Sequence, residues 1–514
     1  MPRLILLGHG ADADAATYPV RVTPLHTAAR LGNLAILRRL LDCGVKVDAQ
    51  LKNTKLTPFL LAAYYGHTDC LQALMEAGAD TRARTGPWTD EHPAIDNMTA
   101  LHLAWGNLNT VKKLLEFSPE EEMVLARDAT DHTPFFYAFV NQALDTCRIL
   151  LEHAGEKKDQ ILSEGNNEGE LPIHRACGLE DVAFLQLLLD FGADVDTLQN
   201  GNGFTPTMFA VSWDMVEHLK LLIKCKADIN IPDSSGWTPL HIASYFGRLE
   251  ALEALVKGGA SVTAVDKNSW TPLHYAAYKG HHRCVEYLLY RGADLKAQSN
   301  DKMTPLALSS RGSAGKHSKV VEILPQRDSS LNLLVNIAGK GGRTPLYLAT
   351  VSGNYAIMKI LIEAGAYINI VDDNQQTLIA AAMTSPLNGQ KVVQVLLDVG
   401  VFLDEQLPDP WGRTLLFYSA GAEAVEQTKL LLANGVDKDA VDEIGRTALD
   451  VCIDKDIRGI LGAKDDSLDL RCPSLLRGRS NYNQWQCSCD VCLGGGSDGP
   501  VYIKDDFWYR AYSL

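Results

Sequence analysis

The phrase Thr-Pro-Leu-His and its variants recur along the whole chain at a nearly fixed period. The phrase begins at Thr23, Thr57, Thr99, Thr133, Leu171, Thr205, Thr238, Thr271, Thr304, Thr344, Thr377, Thr414 and Thr447. The gaps between starts run 34, 42, 34, 38, 34, 33, 33, 33, 40, 33, 37 and 33 residues. A period near 33 with internal phrasing marks a linear repeat array. In such an array each unit packs only on its neighbours. No central pocket is expected, and function moves to an extended surface.

Each unit reads as two helices and a connection. In Thr271–Asp294, the Thr271 hydroxyl is placed to cap a helix, and Pro272 suits the first turn, where its missing N–H costs nothing. Ala276 and Ala277 are small enough for close helix approach, and Gly280 provides a helix stop. Val285, Leu288 and Leu289 form the apolar stripe of a second helix, which Gly292 closes. Ala293-Asp294 then leads into an extended finger.

Thirteen phrases in phase, with the Gly-Ala-Asp ending of the Thr271 unit, resemble the ankyrin-repeat family over roughly residues 1–465. The resemblance implies an all-α ankyrin-repeat solenoid of helix-turn-helix units joined by β-hairpin fingers, and protein binding as its activity. The organisation expected is a partial repeat or cap over 1–22, an array over 23–465, and an irregular Cys/aromatic-rich tail over 466–514. Leu4–Ala15 reads as the second half of a repeat with no first helix. That fits either a half-repeat cap or a chain that continues further upstream.

Composition narrows the function classes. The formal net charge is -15, from 48 Lys+Arg against 63 Asp+Glu, which disfavours binding to phosphate backbones. No run of 18 apolar residues predicts a membrane span. Of the 11 cysteines, seven are scattered singly through the repeats, a pattern of buried reduced thiols that points to cytosol or nucleus. There is no phosphate loop and no His-Glu-x-x-His, so no enzyme is expected. His26, His102, His174, His241 and His274 recur one per repeat, too far apart to share an ion, and read as structural groups bonding local backbone.

Departures from regularity carry the candidate sites. The residue before each Thr-Pro lies on the finger, by resemblance to the family, and in four consecutive units it is Phe204, Trp237, Trp270 and Met303. The end of the first helix adds Trp213, Tyr245, Phe246 and Tyr278, with Tyr64 and Tyr65 at the same place much earlier. Large apolar groups on one face mark a partner-binding surface, and Trp and Tyr dominate binding hot spots. The competing reading is that these rings pack on each other and stiffen the array. Trp88 lies in a finger insertion, Arg84–Pro93, that reads as an exposed protrusion. Ser309–Lys319 reads as a flexible basic loop, and the Thr133 unit lacks the usual Gly-Ala-Asp ending, which predicts a distorted connection.

In the tail, Cys472, Cys487, Cys489 and Cys492 supply four thiolates that a structural zinc would order; the alternative is four free thiols. No other cofactor is expected. Ser467–Leu476 resembles the box by which ankyrin-type ubiquitin-ligase substrate receptors bind elongin C, although Pro473 interrupts it. The leading reading is a non-catalytic scaffold or adaptor for protein partners. The alternatives are a substrate receptor of a cullin-type ubiquitin ligase and the ankyrin arm of a larger protein, such as a channel or kinase.

Overall fold

The structure is a computed structural model that describes residues 13–17, 19–87, 96–117, 121–166, 168–327, 333–383, 389–401 and 411–462. Paired short helices fill it, in the order the repeat phrase dictates. The chain divides into two compact units, residues 1–201 and 202–514. In the first, the leading helices of successive repeats are Pro24–Leu31, Pro58–Tyr64, Ala100–Leu103, Pro134–Val140 and Pro172–Ala176. In the second they begin with Pro206–Ser212, Pro239–Phe246, Pro272–Lys279, Pro305–Ser310 and Pro345–Val351.

The Thr271 repeat shows why the phrase folds this way. The Thr271 hydroxyl accepts from the His274 N–H at 3.4 Å, and Gly280 ends the helix at φ 76°. Leu273, Ala276, Ala277, Val285 and Leu288 are fully buried, so the core is a continuous seam between helices. The small alanines let Pro272–Lys279 pack directly on Pro239–Phe246 and Pro305–Ser310.

The fingers are hairpin-like turns held by aspartate. Asp233 donates its N–H to the Trp237 carbonyl at 2.8 Å, and its carboxylate accepts from Ser235 N and Trp237 N at 2.8 and 2.7 Å. Asp128, Asp266, Asp372 and Asp442 repeat the arrangement, each five residues before its Thr. An Asp side chain that bonds backbone N–H groups two and four residues on fixes a tight turn. Among the described residues no sheet forms; strand pairing is limited to isolated bridges such as Thr17↔Val22, Val371↔Thr377 and Val441↔Thr447. Single backbone bonds link one finger to the next, as in Lys267 N–H to Ser235 O at 3.2 Å and Asn300 N–H to Asn268 O at 3.0 Å. Gly236, at φ 88°, lies at one of these approaches: a Cβ there would meet the Lys267 nitrogen at 2.9 Å.

Three irregularities are resolved. Ser309–Lys319 is two helix ends around a short turn at 311–313 rather than one loop: Ser309 and Ser310 are buried inside Pro305–Ser310 and donate to Leu306 O, and Ala314 opens a helix that runs to Gln326. Serine hydroxyls bonded back to the preceding turn lose their loop-favouring competition with the backbone. After the Thr133 repeat the second helix runs Leu144–Ala154 and passes through a 3-10 turn into Lys158–Leu162, which buries Ile161 and Leu162 and forms the distorted connection expected there. Cys70, Cys147, Cys177, Cys284 and Cys452 are buried thiols, but Cys43 and Cys225, at the ends of second helices, are exposed.

Candidate functional site: an aromatic face on the Thr205 to Thr304 repeats

The recurrent histidines are structural, and the geometry says how. The Thr271 N–H donates to His274 Nδ1 at 3.0 Å, so that nitrogen carries no proton. The proton is on Nε2, which donates to the Met303 carbonyl of the next finger at 3.0 Å. His241 does the same between Thr238 and Trp270 O, and His26 and His102 between their own Thr and the carbonyls of Leu56 and His132. His174 reaches Thr197 O, with Leu171 in the place of the Thr. Each imidazole therefore clamps one helix start to the following finger, a longer reach than local bonding. Burial pushes the pKa of His102, His241 and His274 down to about 4, because the charged imidazolium would lose its hydration there. Among the described residues no three His, Cys, Asp or Glu converge as a metal site.

The predicted aromatic row forms a cluster around a residue that the sequence reading did not single out. Tyr275 is fully buried, and its ring centroid lies 4.4 Å from that of Trp237 and 4.9 Å from that of Trp270. Its hydroxyl donates to the buried Asp266 carboxylate at 2.6 Å, which satisfies both groups. Tyr137 and Asp128 form the same pair at 2.5 Å, again nine residues apart. That spacing was the available signal.

The cluster separates into a buried and a wetted part. Trp237 is 5% exposed and Phe204 7%, so neither lies at a solvent-facing rim. The finger turn draws Trp237 inward against Tyr275 and Tyr245, and Phe204 packs edge-on against Phe209. Trp213, Tyr245, Phe246, Trp270 and Met303 are half-buried, and Tyr278 is 43% exposed. Tyr245 meets Phe246 at 5.1 Å and Trp270 meets Tyr278 at 5.6 Å, both edge-on. The Lys279 ammonium lies over two rings, 4.2 Å from the centroid of Tyr245 and 5.4 Å from that of Tyr278. In the first unit Tyr64 and Tyr65 form a smaller pair, 44% and 47% exposed, with centroids 5.0 Å apart. Trp88 and Cys472, Cys487, Cys489 and Cys492 lie outside the described residues.

Helix pairs in series and fingers in register define a repeat protein. The family model described as "Ankyrin repeats (3 copies)" matches residues 3–85, 158–233, 214–299, 292–372 and 314–406, more than half of the chain. The chain belongs to the ankyrin-repeat family. It is 27% identical over 121 residues to the transient receptor potential cation channel subfamily A member 1 homolog of Caenorhabditis elegans, covering 24% of this chain and 10% of that protein. It is 29% identical over 141 residues to the nuclear factor NF-kappa-B p105 subunit of Gallus gallus, covering 27% of this chain and 14% of that protein. The chain thus matches only a small part of either relative's length. The solved human ASB11 ankyrin repeat domain aligns with a TM-score of 0.39 at 27% identity, covering 44% of this chain and 96% of that domain. No helix among the described residues is long and apolar enough to cross a membrane.

Proposed function

We propose that the chain is a non-catalytic protein-interaction scaffold or adaptor. Its principal contact surface is the wetted part of the aromatic cluster: Trp213, Tyr245, Phe246, Trp270, Tyr278 and Met303. Ankyrin repeats generally serve as protein-interaction modules, and this reading applies that role to one face of this chain. The observation that carries it is Tyr278, a large ring 43% exposed and edge-on against the half-buried Trp270. Phe204 and Trp237 support the surface from beneath. An amphipathic ring with few rotatable bonds gains contact area at small entropic loss, as binding hot spots require. The division into an array over 23–465 and a tail over 466–514, and residence in the cytosol or nucleus, belong to the same proposal.

Site-specific photo-crosslinking tests it. A benzophenone amino acid placed at Tyr278 should capture a defined polypeptide. The same probe at Tyr290, 78% exposed on the second helix of the same repeat, should not. Equal capture at both positions would contradict the assignment.

A further inference from the structure

The wetted aromatic patch borders a corner of positive charge whose lysines pair with no carboxylate among the described residues. Lys279 ends the helix Pro272–Lys279 and has only tyrosine rings against its ammonium; among the described residues it pairs with no carboxylate. Lys316 enters the same corner from the next repeat: a Cβ on Gly280 would meet the Lys316 Cβ at 2.9 Å. It too has no carboxylate partner among the described residues. His281 and His317 complete the corner. Each donates from Nε2 to a helix-end carbonyl, Tyr245 O at 3.0 Å and Tyr278 O at 2.8 Å, so those carbonyls are already taken. The leading charge influences on His281 come from basic side chains, Lys316 and Lys279 among them. Together with burial, which is the largest influence, they hold its pKa below the ordinary value despite the bond to Tyr245. In a chain carrying 63 acidic against 48 basic residues, this corner has the reverse sign.

We infer that this corner accepts an acidic peptide segment with an aromatic or large aliphatic side chain, its carboxylates pairing with Lys279 and Lys316 while its apolar group covers Tyr278. The inference rests on the proposed contact surface and names the chemistry of its partner. Carboxylates and rings are needed together. An apolar segment alone would leave the ammonium groups facing apolar surface, which is unfavourable without a counter-charge. A basic segment would be repelled. The ring positions orient Lys279, because a cation held over two aromatic faces loses side-chain freedom before the partner arrives.

The test is selection of a random phage-displayed peptide library on the intact chain, followed by affinity measurement with synthetic copies of the enriched peptides. Enrichment of acidic peptides bearing an aromatic or aliphatic residue is expected. Replacing their Glu and Asp by Gln and Asn should weaken binding about tenfold or more, in line with the loss of close charge pairs. Binding should fall as salt rises. The variant carrying Lys279→Glu and Lys316→Glu should abolish the preference, and Lys279→Arg with Lys316→Arg should keep it. Melting curves establish that the variants fold, which the exposed Lys316 and the half-buried Lys279 at a helix end should permit. Neutral or basic peptides whose binding is lost in Tyr278→Ala would overturn the charge inference while leaving the contact surface standing. Peptides indifferent to both Tyr278→Ala and the double lysine variant would overturn both. A fall in melting temperature in the lysine variants with unchanged peptide preference would show that Lys279 only rivets the rings, and would overturn the inference.

Discussion

The Thr238 and Thr271 repeats and the last three repeats, at Thr377, Thr414 and Thr447, are built on the same phrase but joined differently. In the former pair, His241 and His274 tie each helix start to the next finger with a part-buried N–H···O bond of 3.0 Å. In the latter three, that position holds Ala380, Phe417 and Asp450. Ala380 and Phe417 have no polar side-chain atom to reach across. Asp450 accepts from Thr447 N and Oγ1 at 2.8 Å, but an ionised carboxylate has no proton to give a neighbouring carbonyl. The last repeats keep their fold through apolar burial, with Leu378, Ala381, Leu416, Ala420 and Leu431 at 1% exposure or less. A repeat can thus close its own helix with any good acceptor. Bonding on to its neighbour takes a group that accepts at one end and donates at the other.

The largest expected effect lies at the centre of the aromatic cluster. Tyr275→Ala removes a fully buried ring and strands the Asp266 carboxylate, and should cost about 3–5 kcal/mol in denaturant unfolding. Next is the clamp itself. His274→Ala leaves the Thr271 N–H and the Met303 carbonyl without their partner and should cost about 2–4 kcal/mol. Asp450→Ala, which removes only a helix cap, should cost about 1 kcal/mol. Equal losses in these two variants would break the comparison.

Acid sharpens it. With the folded pKa of His102, His241 and His274 near 4 and the unfolded value near 6.5, only the unfolded chain takes up these protons between those pH values. Stability should therefore be full at pH 7, decline as the pH falls below about 6.5, and stop declining on this account near 4. Replacing His241 and His274 by asparagine should lower the melting temperature at pH 7 and reduce its drop between pH 7 and pH 5. An undiminished drop would place the titrating groups elsewhere.

Much of this architecture could be read from the sequence, because the phrase encodes local physics: a cap, a first-turn proline, small packing residues and a helix stop. The row Phe204, Trp237, Trp270, Met303 was legible as a row for the same reason. Which of its members meets water was not. That depends on the finger turn of Asp233 and on the bulk of Tyr275, both set by neighbours a repeat away rather than by position in the phrase. Ser309–Lys319 misled because Ser, Gly and Lys carry loop propensity, whereas burial between adjacent repeats decided the matter in favour of helix.

The account holds that one aromatic cluster serves two purposes, with buried rings fixing the fold and wetted rings meeting a partner. Measuring stability and partner affinity side by side for Trp237→Ala and Tyr278→Ala tests that claim most directly. Trp237→Ala should lower unfolding free energy by about 3 kcal/mol or more, as expected for a buried ring. Tyr278→Ala should change stability by less than about 1 kcal/mol but weaken the crosslinked partner by about 2 kcal/mol, the scale of a binding hot spot. A Tyr278 variant that loses stability and keeps its affinity would contradict the account.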